Sequence, residues 1–348
     1  MKIIKQNVGI DIAKKNFKAC YMQQLDGGKL RIKGSKTFQN TLSGFKSLVE
    51  WVQKHNKTNQ LVHLTMEATG VYYEELAYYL YEQTDFYVSV ILANKFKAYA
   101  KSLNIKSKTD KMDARILGQM GIERNLRQWK PICPQMRQLK QLTRERVRML
   151  EHKTMVTNQL EALNYSHHPL KESIKRLEQQ IEQIEKHLKQ VESEIDAWLE
   201  EQPDLKQKVE NICEMKGLRW RSVAIILAET DGFNLFTNRA QLVSFAGYDV
   251  VQRESGTSVK GKTRISKKGN RFIRRALYWP AIGAVKGEPI FKQFFERIVK
   301  RSGNKMIAYV AVQRKVLLLI YTLFKKNQPY DPNYQKKLEQ SKIQLVTV

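Results

Sequence analysis

The sequence is poor in the features that build disulfide frameworks, zinc ribbons and membrane anchors. Among its 348 residues it holds 3 cysteines, Cys20, Cys133 and Cys213, and no two of them form a CxxC pair. We therefore expect neither a disulfide framework nor a zinc ribbon, and we expect a reducing, cytoplasmic environment. The longest apolar stretch, Val316 to Phe324, is much shorter than the roughly 20 residues that span a bilayer, so no membrane insertion is expected.

Acidic residues are scarce relative to basic ones. Asp and Glu number 34 against 61 Lys and Arg, which gives a net charge of +27, while 42% of the residues are hydrophobic. The chain is therefore expected to fold into two or three domains and to bind a polyanion such as nucleic acid. Its 6 histidines show no HExxH spacing, and neither a P-loop nor a GxGxxG follows a predicted strand. These absences argue against a histidine-based metal site and against an ATP- or dinucleotide-dependent enzyme.

Short β-prone runs and helical patterns alternate along the first third of the chain. The predicted strands cover residues 8–13, 17–22, 29–34, 61–66 and 86–92, and the predicted helices cover residues 42–55 and 71–82. The turn-forming run Asp26-Gly27-Gly28 predicts a hairpin within this series. Three antiparallel strands followed by helix, strand, helix and strand is the order typical of a ribonuclease-H-like mixed sheet, so the predicted fold class there is α/β.

From Gln135 onward the composition shifts to Leu, Glu, Gln, Lys and Arg. Apolar residues then repeat at alternating steps of three and four, the a/d pattern of a coiled coil. This seam consists of Ile174, Leu177, Ile181, Ile184, Leu188, Val191, Ile195 and Trp198. A looser apolar stripe precedes it, and a polar run with a proline at residues 164–169 separates the two, which predicts a helical hairpin arm ending before Pro203. A seam of this length typically pairs protomers; the alternative is that both helices pack on their own domain.

Four carboxylates lie in patterns that suit metal-assisted chemistry. Asp11 lies inside an apolar strand, where an ionised side chain is costly unless a cation or hydrogen bonds compensate it. Glu67 ends another strand, and Asp110 and Asp113 have the spacing that shares one face of a helix. Such carboxylates suit Mg²⁺ or Mn²⁺, which can stabilise the attacking and leaving oxygens of a phosphodiester. Taken singly, Asp11 is equally explained as a compensated core carboxylate and Asp110 as a helix N-cap. Their order, and the lysines that crowd the approach, favour a catalytic site: Lys95, Lys97, Lys101, Lys106, Lys108 and Lys111.

Basic residues far outnumber acids between Val251 and Lys305. Backbone and guanidinium donors there can surround a phosphate. The predicted nucleic-acid-binding residues are Lys106, Lys108, Arg253, Lys260, Arg264, Lys267, Lys268, Asn270, Arg271, Arg274 and Arg275. A serine in this field can attack phosphorus once its proton is removed, and composition does not choose among Ser255, Thr257, Ser258, Thr263 and Ser266. The alternative is a basic loop that only binds the DNA backbone.

Aromatic residues also interleave with charge near this segment. The residues concerned are Phe272, Tyr278, Trp279, Phe291, Phe294 and Phe295. Such a pattern can stack bases, but at helical spacing it is more typical of a core, so these side chains are predicted to be buried.

The ordered motifs resemble those of the bridge-RNA-guided insertion-sequence transposases, DEDD recombinases of bacterial and archaeal mobile elements. The matching motifs are GIDIAK around Asp11, EATGVY around Glu67, KTDKMDA around Asp110 and Asp113, and SGTSVKGKTRISKKGNRFIRRAL from Ser255. The resemblance covers almost the whole chain. It implies a RuvC-like DEDD domain over residues 1–130, a coiled-coil arm over 131–202 and a mainly helical C-terminal transposase domain over 203–348.

The same resemblance implies the chemistry and the partners. Asp11, Glu67, Asp110 and Asp113 would hold Mg²⁺ or Mn²⁺, and Ser255, by its motif position, would become covalently linked to DNA. A structured noncoding RNA would pair with donor and target DNA. Protomers would assemble as a dimer through the coiled coil and as a tetramer on DNA, with the carboxylates of one facing the serine of another.

One departure from the family pattern lies at residues 215–219, MKGLR. Relatives often carry Gly-x-Gly there, in a hairpin between two helices that contacts the nucleic-acid backbone, whereas Arg219 replaces the second glycine. Two other functions stay open: a metal-only nuclease of the junction-resolvase type, which needs no serine, and a non-catalytic nucleic-acid-binding protein, which needs only the charge.

Overall fold

In a computed structural model the chain divides into two compact units, Met1–Pro131 and Ile132–Val348. The structure describes residues 2–57, 60–105, 109–252, 254–255, 259–261, 263–334 and 337. The first unit is a sheet covered by helices, and the second is mostly helical.

The sheet of the first unit contains five strands in the order β3-β2-β1-β4-β5. The strands are β1 (Ile3–Ile12), β2 (Asn16–Leu25), β3 (Leu30–Gln39), β4 (His63–Glu67) and β5 (Tyr87–Ile91). The first three are antiparallel, while β4 pairs parallel with β1 and β5 parallel with β4. The predicted order along the chain, three antiparallel strands followed by helix, strand, helix and strand, is confirmed. The hairpin strands are longer than predicted, because pairing across the Gly27 and Gly28 turn, with φ of +84° and +81°, extends the ladder.

Helices cover both faces of this sheet. They are α1 (Leu42–His55), α2 (Glu74–Gln83), α3 (Ala93–Ser102) and α4 (Asp110–Glu123). Val8 and Ile10 of β1 are fully buried in the cluster that α1 and α2 complete, whereas Cys20 and Met22 of β2 pack with Ala114 of α4. Because side chains alternate along a strand, Gly9 and Asp11 lie on the face covered by α4.

The second unit begins with a pair of long helices, α5 (Pro134–Asn164) and α6 (Lys171–Glu200). Two ion pairs set their antiparallel register: Arg146 Nε lies 2.7 Å from Glu192 Oε1, and Lys153 Nζ lies 2.6 Å from Glu185 Oε1. The helices end before Pro203, where the sequence predicts the arm to end.

The predicted seam is covered by its own chain, most completely near the base of the arm. Val191, Ile195 and Trp198 are buried in the core of the second unit, and Ile181 nearer the tip is half-buried. This arrangement corresponds to the intrachain alternative for the base of the arm. Pairing of protomers through the tip stays a prediction.

The rest of the second unit is built from further helices around one core. They are α7 (Pro203–Cys213), α8 (Trp220–Thr230), α9 (Arg239–Ala246), α10 (Arg271–Ala276), α11 (Tyr278–Gly287), α12 (Pro289–Ser302) and α13 (Lys305–Lys326). By length and composition alone α13 could cross a membrane. Its Val312, Val316 and Ile320 are fully buried in the protein core, however, so α13 serves as a core helix of this unit.

Two short strand pairs lie between α9 and α10. Strand β6 (Val250–Val251) pairs with β9 (Arg264–Ile265), and β7 (Glu254–Ser255) pairs with β8 (Val259–Lys260), both antiparallel. In sequence, the β7–β8 pair lies between the two strands of the β6–β9 pair. The basic segment therefore contains a β-hairpin, with Ser255 on β7.

Candidate active site and nucleic-acid interface

Asp11 and Glu67 come together at one edge of the sheet. The parallel register pairs Gly9 with Thr65 and Ile10 with Met66, so Asp11 and Glu67 follow at the carboxyl ends of adjacent strands. Both side chains are half-buried. This edge is where α/β sheets place their ligand sites.

Helix α4 directs the other two carboxylates, Asp110 and Asp113, toward the same end of the sheet. A Cβ atom on Gly121 would overlap the Asn7 amide, and a Cβ atom on Gly9 would overlap the Ala114 carbonyl oxygen and Gly118 nitrogen. These contacts show that α4 crosses β1 closely and runs in the opposite direction. Its first turn, with Asp110 and Asp113, is therefore directed toward the Asp11 end of β1.

An ion pair confirms this placement. Lys18 is the cross-strand partner of Asp11, and its Nζ lies 3.6 Å from Oδ2 of Asp110. The N-cap of α4 is Thr109, whose hydroxyl accepts a hydrogen bond from the Met112 amide. Helix capping thus does not explain Asp110, which lies in the first turn with an exposed side chain.

The donor set is chemically suited to a divalent metal. Carboxylate oxygens are the hard ligands that Mg²⁺ and Mn²⁺ prefer. Within the part of the chain that the structure describes, no three His, Cys, Asp or Glu side chains are close enough to hold a metal ion as they stand. Lys18 supplies a positive charge to Asp110 in this arrangement.

The approach to this edge is basic. Lys95, Lys97, Lys101 and Lys111 are exposed. Lys106 and Lys108, predicted to bind nucleic acid, lie outside the described residues.

Cys20 lies just beneath this edge but is not suited to act as a nucleophile. It is buried against Ala114 of α4. Burial raises the pKa of its thiol, while Arg115 and Lys111 partly oppose that change. A thiol with a raised pKa carries little thiolate at neutral pH, so we assign Cys20 a packing role.

In the second unit, Ser255 lies on β7 opposite Val259 of β8. The structure describes its backbone but not its side chain. The other hydroxyl candidates Thr257 and Ser258 lie outside the described residues, as does Arg253. Lys260 is described by its backbone only, on β8 opposite Glu254.

The cations that follow this hairpin fall into two groups. Arg264, Lys267 and Lys268 are exposed and available to a phosphate. Arg271 and Arg275 face Glu151 of α5 instead, and both form an ion pair with it. These two arginines therefore need to exchange Glu151 for phosphate if they bind nucleic acid.

Arg274 and Asn270 form hydrogen bonds within the protein. Arg274 Nη1 donates to the Ala246 carbonyl oxygen at 2.8 Å. The Asn270 Oδ1 accepts from the Phe272 and Ile273 amides at 2.9 and 3.1 Å, and so caps the start of α10. Its Nδ2 donates to Glu229 at 2.6 Å. The Asn270 amide is thus engaged on both sides by the protein.

Glu229 is a buried charge that the sequence reasoning missed. It is only 1% exposed, and Arg144 of α5 donates to both of its oxygens, at 2.6 and 2.9 Å. Lys140 lies 3.8 Å away. Glu229 thereby connects the base of the arm, through Asn270, to the start of α10. The signal in the sequence is one glutamate within the apolar run of α8, since such a charge needs a partner.

The MKGLR turn packs against protein rather than standing open. Gly217 has φ +86°, and a Cβ atom there would lie 2.6 Å from Gly283 Cα of α11. The free glycine backbone thus permits close approach of the turn to α11. Arg219 is exposed at the end of the turn.

The chain matches transposase families along most of its length. The DEDD transposase domain of the IS110 type matches residues 8–169, and the transposase IS116/IS110/IS902 family matches residues 209–296. The first range includes the four carboxylates and the second includes Ser255.

Two curated relatives are similar to it. The pilin gene-inverting protein of Moraxella bovis is 28% identical over 336 residues, which cover 94% of this chain and 98% of that protein. An uncharacterized 43.6 kDa protein of insertion element IS110 from Streptomyces coelicolor is 24% identical over 40% of this chain and 33% of its own length. Among solved structures, a Ppx/GppA protein of Aquifex aeolicus aligns with 93% of this chain and 92% of that chain at 11% identity, with a TM-score of 0.21.

Proposed function

Since the chain carries the transposase domains of the IS110 family and is an enzyme that rearranges DNA, we propose that it cuts and rejoins strands through a metal-assisted carboxylate site and a covalent link to Ser255. The metal-assisted carboxylate site is supported by one observation: Asp11, Glu67 and the first turn of α4 converge at one edge of the sheet. The serine rests on its motif position and on the basic segment that follows it.

The four carboxylates Asp11, Glu67, Asp110 and Asp113 are assigned to hold Mg²⁺ or Mn²⁺. When bound, the metal neutralises charge on the attacking and leaving oxygens of a phosphodiester. The Ser255 hydroxyl gives up its proton and forms an oxygen–phosphorus bond, while the bond from phosphorus to the departing strand breaks and the oxygen of that strand takes up a proton to end as a hydroxyl. The phosphodiester energy is kept in the protein–DNA link, so that a second strand can be joined without another energy source.

The cations of the second unit would place the DNA backbone. Arg264, Lys267 and Lys268 are exposed after the Ser255 hairpin, and side chains of this kind position phosphates without reading sequence. Arg253, Lys260, Arg271, Arg274 and Arg275 are proposed to extend this surface.

Sequence choice is assigned to a structured noncoding RNA that pairs with donor and target DNA. This part of the proposal rests on the family resemblance, and the net charge of +27 supports it by favouring a second polyanion. A dimer through the arm and a tetramer on DNA, in the cytoplasm, complete the proposed assembly. The name of the Moraxella relative leads us to include inversion of a DNA segment among the outcomes.

A metal-only nuclease is the second candidate, favoured by the carboxylates alone. The two are separated by incubating labelled DNA, RNA and protein with Mg²⁺ and running denaturing electrophoresis, followed by peptide mapping of any adduct. We expect the adduct on Ser255, lost in Ser255→Ala and retained in Ser258→Ala and Thr257→Val. An adduct in Ser255→Ala overturns the serine assignment, and cleavage without an adduct in the wild type favours the nuclease.

The RNA part has its own test. Sequencing of RNA that copurifies with the protein should yield one structured species. A random mixture of cellular RNA would contradict guidance and leave the chemistry untouched.

A further inference from the structure

Trp279 is exposed where the sequence pattern predicts burial. Its side chain is 73% exposed, whereas the other four tryptophans are buried or half-buried. The neighbouring Tyr278 ring lies 5.3 Å away, edge to face, and limits how the indole can turn. An exposed indole offers a large aromatic face to a binding partner.

Trp279 forms part of the wall of a groove of about 1560 Å³. Met306 and Val310 of α13 and Ile265 of β9 supply apolar surface in the same groove. A volume of this size exceeds that of a single small-molecule pocket and admits a chain of several units.

The groove carries an excess of positive charge. Seven basic side chains line it against three acidic ones: Arg146, Lys206, Arg219, Arg221, Lys267, Arg274 and Arg275, against Asp196, Glu200 and Glu210. Four of these cations are paired with carboxylates: Lys206 with Glu200, Arg221 with Asp196, Arg146 with Glu192 and Arg275 with Glu151. Arg219 and Lys267 are exposed cations of its lining. The groove therefore attracts an anionic chain.

The close packing of Gly217 and Gly283 brings the turn that ends at Arg219 against the helix that carries Trp279. Trp279 lies one helical turn before Gly283 on α11, so the two share a face of that helix. The turn that contains Gly217 ends at Arg219, and Arg219 and Trp279 line the same groove. The groove thus has an aromatic side chain, a guanidinium and apolar side chains in its lining.

We propose that this groove binds a single-stranded segment of nucleic acid, with an unpaired base stacked on Trp279 and the adjacent phosphate near Arg219. Stacking platforms beside basic side chains are what single-strand binding requires, since every base offers a π-face and every linkage a negative charge. A duplex keeps its bases paired and gains nothing from the indole. The inference rests on the proposed function, because it assumes a nucleic-acid substrate, and it adds an unpaired segment and the residue that recognises it.

The test measures binding of the full chain to short labelled oligothymidine, oligouridine and duplex DNA by fluorescence anisotropy over a range of salt. Trp279→Ala should weaken single-strand binding by about tenfold, which corresponds to one stacked base at 1–3 kcal/mol. It should leave duplex affinity and the salt slope unchanged. Trp279→Phe should keep most of the affinity, and Arg219→Ala should lower the single-strand salt slope by about 0.7.

Tyr165→Ala is the matched control, because Tyr165 is 87% exposed but lies beyond the end of α5, outside the groove. It should bind like the wild type. In photocrosslinking, an iodouracil-substituted oligonucleotide should become attached to the peptide that contains Trp279. Tighter binding of oligothymidine identifies the natural strand as DNA, and tighter binding of oligouridine identifies it as RNA.

Wild-type affinity in Trp279→Ala, an equal loss of duplex binding, or a crosslink elsewhere would overturn the inference. So would a change in assembly mass in Trp279→Ala with unchanged nucleic-acid affinity, which would assign the indole to a protein interface. These outcomes leave the proposed function standing. Failure of the wild type to bind any of the three probes would instead contradict the proposed function.

Discussion

The Nζ atom of Lys18 lies 3.6 Å from Oδ2 of Asp110, and Lys18 faces Asp11 across the β1 and β2 pair. Lys18 thus neighbours two of the four proposed metal ligands, through its side chain at Asp110 and through strand pairing at Asp11. An exposed ion pair of this kind contributes little to stability. Its consequence is electrostatic: Lys18 offsets the repulsion of neighbouring carboxylates and competes with a divalent cation for Asp110.

Substitution of Lys18 tests that competition. Lys18→Met should lower the Mg²⁺ concentration for half-maximal cleavage by up to about fivefold, since a partly exposed pair is worth up to about 1 kcal/mol. Metal titration of strand cleavage measures it, with Lys33→Met on the exposed side of β3 as control. A higher Mg²⁺ requirement in Lys18→Met would show that the lysine supports the site rather than competes with the metal.

Replacing each carboxylate by its amide tests the metal site itself. Asp11→Asn, Glu67→Gln, Asp110→Asn and Asp113→Asn should reduce strand cleavage to background, because each removes a ligand charge while keeping the shape. DNA and RNA affinity and thermal stability should stay close to those of the wild type. Cleavage by the wild type in excess chelator would contradict the metal site.

The close crossing of α4 over Gly9 predicts a local loss of geometry. In Gly9→Ala the new methyl would overlap the Ala114 carbonyl oxygen, which belongs to a helix backbone and has no room to move. We expect destabilisation by about 1–3 kcal/mol in urea unfolding, and loss of cleavage as Asp113 shifts. Gly34→Ala is the matched strand variant. Its methyl meets the Trp51 and His55 side chains at 3.2 Å, and its effect should be smaller.

Glu229 should be a large contributor to stability of the second unit. Glu229→Gln leaves Arg144 without its carboxylate in a mostly buried position, and removal of one partner of such a pair costs about 3–5 kcal/mol when the pair is fully buried. Because Arg144 is 34% exposed, we expect the lower end of that range. Thermal unfolding measures it. Glu185→Gln, which breaks an exposed pair with Lys153 on the arm, should change stability little, and equal effects of the two variants would contradict the role given to Glu229.

The tip of the arm is the remaining candidate for pairing between protomers. Ile181→Glu with Leu188→Glu puts charge into the half-buried part of the seam and should lower the assembly mass in light scattering. Glu182→Gln, on the exposed side of α6, should leave the mass unchanged. An unchanged mass in the double variant would restrict the seam to the hairpin of one chain.

The sequence by itself determined the order of the strands and helices and the positions of the four carboxylates along them. Alternation along β1 and the helical spacing of Asp110 and Asp113 depend only on neighbours in the chain, so a reader of the sequence sees them. The family resemblance likewise depends on ordered motifs. The tertiary structure added the contacts between segments that are far apart in the chain.

Four relationships could not be predicted for that reason. The crossing of α4 over Gly9 depends on the depth at which a helix lies on a sheet, and the Lys18 to Asp110 pair depends on that crossing. Arg144, the ion-pair partner of Glu229, lies 85 residues away in the chain. Trp279 has the spacing of a core residue, yet in the folded chain its ring lies exposed in the lining of a basic groove. Periodicity reports which residues share a face, whereas the surroundings of that face are decided by the contacts of the whole chain.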